Sequence, residues 1–91
     1  MAYEWDRNKA SSNQTKHGVT FEEAKSVFEE DLNTLTLSDV EHSFEEERYI
    51  EIGMSNQGRL LSIVYTERNA NIRIISARPA TPREVRLYEQ D

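Results

Sequence analysis

Four arginines, Arg73, Arg78, Arg83 and Arg86, stand within the stretch Ile72–Glu89, and Arg59 precedes them. Arginine presents a planar fork of donors that matches a phosphate group, so such a cluster suits a phosphodiester. Far upstream lies the pair Lys16-His17, and imidazole is the side chain that most readily carries a proton near neutral pH. These types suit RNA cleavage without a metal. The 2′-hydroxyl attacks the adjacent phosphorus, arginines offset the charge growing on the non-bridging oxygens, and a carrier moves two protons. Plainer roles compete for each residue. Lys16 and His17 suit the negative end of a helix dipole, Arg59 can simply follow a hairpin glycine, and Arg83 and Arg86 can be solvated charges. Tyr88 and Trp5 fit core or edge positions as well as base-stacking ones. Arg73, set between isoleucines, needs a carboxylate or a ligand, and Glu46 or Glu51 can serve.

Other chemistries find little support. Cysteine is absent, which excludes disulfides, thiol catalysis and thiolate zinc sites. The histidines, His17 and His42, stand far apart without zinc-ligand spacing, so no metal and no cofactor is expected. The glycines number 3, too few and too scattered for a phosphate loop, and each has a turn or strand-end explanation. No serine stands in a nucleophile-elbow context.

The elements that must position these residues are legible in outline. "YEW" reads as a short strand, and Asp6 caps a helix from Arg7 to about Lys16. Ala10 is that helix's only apolar residue, while Lys9, Asn13 and Lys16 share one face, so it must serve as a surface or meet a partner. Gly18 fits the left-handed position that ends it. Thr20 and Glu23 read as a capping box, with Val19 and Ala24 as a hydrophobic staple. The following helix carries the stripe Phe21, Ala24, Val27, Phe28 and fades near Glu30 or Asp31. Four strand-like runs follow, Thr34–Ser38, Tyr49–Met54, Leu60–Glu67 and Asn71–Arg78, the third being the most apolar and so the most central. The spacers "SNQG" and "RNAN" suit hairpins of an antiparallel meander. Thr81, Pro82 and Glu84 then open a last helix, on which Arg83 and Arg86 oppose Val85 and Tyr88. The order is β-α-α-β-β-β-β-α: an α+β fold with a small antiparallel sheet and helices packed on one face. In a regular strand Arg73 and Arg78 point to opposite faces, so only a bulge or an early strand end brings them together.

With 91 residues, one domain spanning 1–91 is expected, with a core small enough that a partner or dimer interface would help it. The absence of a signal peptide or long apolar run makes the cytoplasm the expected location and excludes a membrane. The net charge of −6 argues against simple electrostatic binding of nucleic acid. Yet the charge is uneven: acids dominate Glu22–Glu51, whereas from Arg59 onward six arginines face Glu67, Glu84, Glu89 and Asp91. Screening acts over about 8 Å, so a local basic face survives a negative total.

The ordered segments "EWDRNKASSNQTKHGVTFEEAKSVFEE" and "HSFEEERYIEIGMSNQGRLLSIVYTERNANIRIISARPATPREVRLYE" resemble the BrnT family over nearly the whole chain. That resemblance implies a RelE-like fold and the toxin half of a bacterial type II toxin–antitoxin pair. It implies a metal-independent RNA endonuclease that halts translation, acting on RNA alone or on the ribosome. The implied partner is a BrnA-like antitoxin with a ribbon-helix-helix domain, through which the complex, with a homodimer inside it, represses its operon at operator DNA. The family's shared polar residues fall on Lys9, Asn13, Lys16, His17, Arg48, Arg59, Arg73, Arg78, Glu84 and Tyr88. Arg59, Arg73 and Arg78 are the expected phosphate ligands, with Lys16 and His17 completing the catalytic set and His17 as proton carrier. Lys9, Asn13, Arg83, Arg86 and Tyr88 are expected to bind RNA. Pro79 and Val85 stand where relatives commonly carry basic residues, which lowers the positive charge beside this site. The alternative is a weakly catalytic or inactive subunit that holds an antitoxin-like DNA-binding partner.

Overall fold

The computed structural model describes residues 2–44 and 46–90; Glu45 of the acidic run and the terminal Asp91 lie outside the described residues. The chain runs β1 (Tyr3–Trp5), α1 (Arg7–His17), α2 (Phe21–Glu30), β2 (Leu35–Ser38), a 3₁₀ turn (Val40–His42), β3 (Arg48–Met54), β4 (Leu60–Arg68), β5 (Asn71–Pro79) and α3 (Pro82–Glu89). Side chains fix the helix boundaries. Asp6 accepts from the N–H groups of Asn8 and Lys9, and Gly18 closes α1 at φ 67°, a left-handed angle that glycine adopts without strain. Thr81 and Glu84 complete a reciprocal capping box on α3. At α2 only half the box forms: Thr20 accepts from Glu23 N–H, but the Glu23 side chain points elsewhere.

The sheet order is β1-β5-β4-β3-β2, with the apolar β4 at its centre. This corrects the small antiparallel meander: the sheet has five strands, and β1 joins β5 in parallel, so it is mixed. The crossover that parallel pairing requires is supplied by everything between Trp5 and Asn71. The β4–β5 hairpin turns on Asn69 and Ala70, both at positive φ as a two-residue primed turn demands.

One face of β4 and β5 presents Leu61, Ile63, Tyr65, Ile72, Ile74 and Ala77 to Val19, Phe21, Ala24 and Val27, and this is the main core. Phe28 packs edge-on to Tyr65 at 5.0 Å, and Trp5 edge-on to Phe21 at 5.9 Å. Gly53 is required by crowding, not by a turn or strand end: a Cβ there would lie 2.6 Å from both Val27 and Thr34 methyl carbons. The helices do not share one face. Glu84 of α3 accepts from Ser62 and Arg78, which pair with each other across β4 and β5 and alternate with the core residues. So α3 covers the opposite face, over the fully buried Ile52. That helix spans only 8 residues, and it leaves part of this outer face uncovered. Among the described residues no helix is long and apolar enough to cross a membrane.

Candidate functional site

The geometry that matters most is an irregularity in β5. Ser62 pairs with Arg78 and Val64 with Ser76, but Tyr65 pairs with Ile74, so Ile75 is an extra, unpaired residue. A bulge of this kind shifts the alternation by one. Arg73, opposite Thr66, and Arg78, opposite Ser62, therefore share the outer face. Without Ile75 they would point apart.

Each expected phosphate ligand already has a carboxylate partner. Arg73 Nη1 lies 3.3 Å from Glu4 Oε2, its neighbour in the β1–β5 register. Strand pairing at the far edge thus chose Glu4, not Glu46 or Glu51, as its partner. Glu51 instead accepts from the hydroxyls of Thr34, Thr36 and Tyr65 on the other face. Arg78 grips Glu84 with both terminal nitrogens, at 2.8 and 3.0 Å. Burial works most strongly against the Glu84 carboxylate, yet hydrogen bonds from Arg78, Thr81 N–H and Ser62 together hold its pKa below the usual range. Arg59 departs furthest from its expected role. Its Nε and Nη2 donate to Glu23 at 2.9 and 2.5 Å, and Nη2 also reaches Gly18 O. Glu23 is only 3% exposed and accepts a third bond from Ser55. Arg59 is the counter-ion of a buried carboxylate and fastens the β3–β4 turn to the α1–α2 junction.

Lys9, Lys16 and His17 lie exposed along α1, beside a depression of about 170 Å³ floored by Ile75 and Ser76. None of the three has an ion-pair partner within 4 Å among the described residues. The bulge residue is thus where the basic helix meets the strand that bears Arg73 and Arg78. Asn13 shares that helix face but is 6% exposed and occupied. Its amide donates to Val19 O and Ala77 O and accepts from Ala77 N–H. Asn13 therefore stands in for the strand that β5 lacks beyond the end of β1. Arg83 and Arg86 are exposed on α3. Tyr88 is not brought to this group; it donates to Asp31 at 2.8 Å, beside Asn33 and Thr34.

Two further arginines face the same side. Arg48 pairs with Thr66, and Arg68 lies two residues beyond Thr66 on β4, so both share the outer face with Arg73. The alternation of β4 was the available signal, and it needed the β3–β4 register to be read. Among the described residues no group of three or more His, Asp or Glu side chains is arranged to hold a metal ion.

What the surface can do is bind an extended polyanion: arginines at strand positions along one face, and two lysines and a histidine at its rim. Comparison with known proteins gives that capacity a context. The chain is similar in fold to the Brucella abortus ribonuclease toxin BrnT, known from a 1.1 Å crystal structure. The TM-score is 0.68 at 24% identity, over 89% of this chain and 99% of that one. No curated protein matches the sequence. The sequence model of the ribonuclease toxin BrnT of type II toxin–antitoxin systems matches residues 5–84. By that match, over nearly its whole length, the chain belongs to the BrnT family of ribonuclease toxins.

Proposed function

We propose that this protein is a metal-independent RNA endonuclease whose substrate lies over the outer face beside β5. The observation that carries this reading is the Ile75 bulge, which turns Arg73 and Arg78 to one face of β5, the strand whose Ile75 and Ser76 line the depression beside Lys9, Lys16 and His17. Arg73 and Arg78 bind the scissile phosphate and offset charge on its non-bridging oxygens. His17 accepts the 2′-hydroxyl proton as the 2′-oxygen–phosphorus bond forms. The phosphorus–5′-oxygen bond breaks, and the leaving oxygen takes a proton from the Lys16 ammonium or from water. The products are a 2′,3′-cyclic phosphate and a 5′-hydroxyl end. Lys9, Arg83 and Arg86 guide the flanking strand, while Arg59, Asn13 and Tyr88 act by holding the scaffold. The fold is of the RelE kind, the site of action is the cytoplasm, and translation stops as messenger is cut on or off the ribosome. A ribbon-helix-helix antitoxin neutralises the toxin and carries the pair to operator DNA.

Purified protein incubated with RNA in EDTA is expected to leave cyclic phosphate ends; cleavage that strictly needs added magnesium would overturn the mechanism. Arg78→Ala is expected to lose about 100-fold in rate while keeping its circular dichroism spectrum, the scale of removing one transition-state donor. Undiminished cleavage by this variant would remove Arg78 from the site.

A second reading draws on the ion pairs. Arg59, Arg73 and Arg78 all hold carboxylates of their own chain, as befits a subunit that binds an antitoxin without cutting RNA. Tight antitoxin binding by protein that cleaves no RNA under any condition favours it.

A further inference from the structure

Far from α1, where the outer face meets the loop between β2 and β3, lies a second open groove of about 520 Å³, lined by His42, Phe44, Glu46, Arg48 and Arg68. Phe44 is 92% exposed. A phenylalanine standing almost wholly in water serves no core, and here it lines the same groove as Arg48 and Arg68. Both belong to the row already described: Arg48, Thr66 and Arg73 sit side by side across β3, β4 and β5, with Arg68 one step further along the same face. Two strand spacings, about 10 Å, separate the backbones of Arg48 and Arg73. The groove therefore continues the surface that carries Arg73.

Neither guanidinium is firmly held. Both lean on the single carboxylate of Glu46, at 3.5 Å from Arg48 and 3.4 Å from Arg68. The contact from Arg48 is made by its buried Nε, which lies 3.5 Å from Glu46 Oε2 without completing a hydrogen bond among the described residues. His42 is engaged apart from them, its Nδ1 lying 3.0 Å from both Asp39 oxygens. One carboxylate shared between two guanidinium groups leaves donors of both forks open to a phosphate.

Exposed aromatic ring, adjacent cationic donors and continuity with a phosphate-binding row are the elements by which proteins hold single-stranded nucleic acid. We propose that this groove is a second RNA subsite: Phe44 stacks on an unpaired base away from the scissile step, while Arg48 and Arg68 hold its phosphate. The subsite rests on the reading of the outer face as the RNA-binding surface, and it makes binding favour single strands long enough to span from Arg78 to Phe44. A protein ligand on the same groove is the competing outcome.

The test uses the intact protein and a non-cleavable ten-nucleotide single strand with 2′-O-methyl groups. Phe44→Ala is expected to raise the Kd about tenfold, the scale of one lost stacking contact. Phe44→Trp is expected to restore affinity and to show indole fluorescence quenched on binding, beyond any change of Trp5 in the parent. Arg68→Ala is expected to weaken binding and to reduce the slope of log K against log salt by about one phosphate contact. Equal affinity of Phe44→Ala and parent overturns the subsite, as does a Phe44→Trp variant whose fluorescence RNA quenches no more than the parent's. So does a Phe44→Ala variant that keeps its RNA affinity and loses that for the antitoxin. Cleavage of the matching all-RNA strand in EDTA is scored separately: its failure removes the ribonuclease reading, while the binding comparison still decides the groove.

Discussion

Arg59 and Glu23 show how one residue's role depends on a partner that local sequence does not name. Glu23 stands three residues after Thr20, where a capping box would turn its side chain back on the helix start. It turns away instead, because Arg59 from a distant hairpin and Ser55 meet it inside the fold. Hydrogen bonds from Arg59, against the cost of burial and with help from Ser55, hold the Glu23 carboxyl below the usual carboxylate range. Arg59→Ala leaves that carboxylate without its cation. A fully buried pair broken this way loses more, but Arg59 is partly exposed and solvent screens it, so a loss of about 2 kcal/mol is expected. Thermal unfolding should then begin roughly 10 °C lower, given the usual scaling for a domain of this size. An unchanged melting curve would mean that Arg59 does not hold the scaffold.

At the scale of elements, the upper part of β5 is completed by a side chain. β1 pairs with β5 only as far as Ile74, and Asn13 then supplies the donor and acceptor that Ala77 would otherwise lack. Asn13→Leu is expected to cost about 2 kcal/mol, since it removes the partner of three backbone groups, Val19 O, Ala77 O and Ala77 N–H, and to speed hydrogen exchange at the Ala77 amide. Exchange at Ala77 as slow as in the parent would show that β5 does not depend on α1. The hairpin before β5 offers a gain. Ala70 sits at φ 67°, which costs an alanine what a glycine does not feel. Ala70→Gly is therefore expected to raise the melting temperature by a few degrees, for a gain of about 0.5–1 kcal/mol; a lower value would place the strain elsewhere. Helix starts and hairpins could be read from the sequence because each is set by residues within a few positions: Asp6, Gly18, Thr81 with Glu84. The bulge was only a condition in the sequence. Nothing near Ile75 announces it, since it arises from how β4 and β5 must align to bury Tyr65 against Ile74 and Ile63 against Ala77 at once.

The whole molecule divides its charge by surface. Acids hold the scaffold together from inside: Glu23, Asp31 and Glu84 each bridge distant segments. Burial opposes Asp31 most, but N–H groups of Met54 and Asn33 and the Tyr88 hydroxyl leave its pKa lowered, as those of Glu23 and Glu84 are. All three carboxyls titrate lower in the folded chain than in the unfolded one. Their contribution is complete above about pH 4.5, the ordinary glutamate value, and disappears as pH falls through the lowered values. The urea midpoint should thus hold steady from pH 7 to 5 and drop steeply below about pH 4; a midpoint constant down to pH 3 would contradict this. On the outside, arginines line the outer sheet face, although the chain's formal charge is −6. RNA affinity is accordingly expected to fall steeply with salt, each phosphate contact adding close to one unit to the logarithmic slope.

By itself the sequence determined the helices with their caps, the strands, the family and the residue types from which a phosphate site can be made, because each depends on short-range pattern or on ordered motifs. Only the tertiary structure decided which arginines are occupied and which face each one takes. It assigned Arg59 to Glu23, Arg73 to Glu4 and Arg78 to Glu84, carried α3 to the outer face, and placed Arg73 and Arg78 on one side. The reason is physical: side-chain alternation has a period of two, so a single extra residue reverses every direction beyond it. Whether that residue is accommodated depends on the register of strands far apart in the chain.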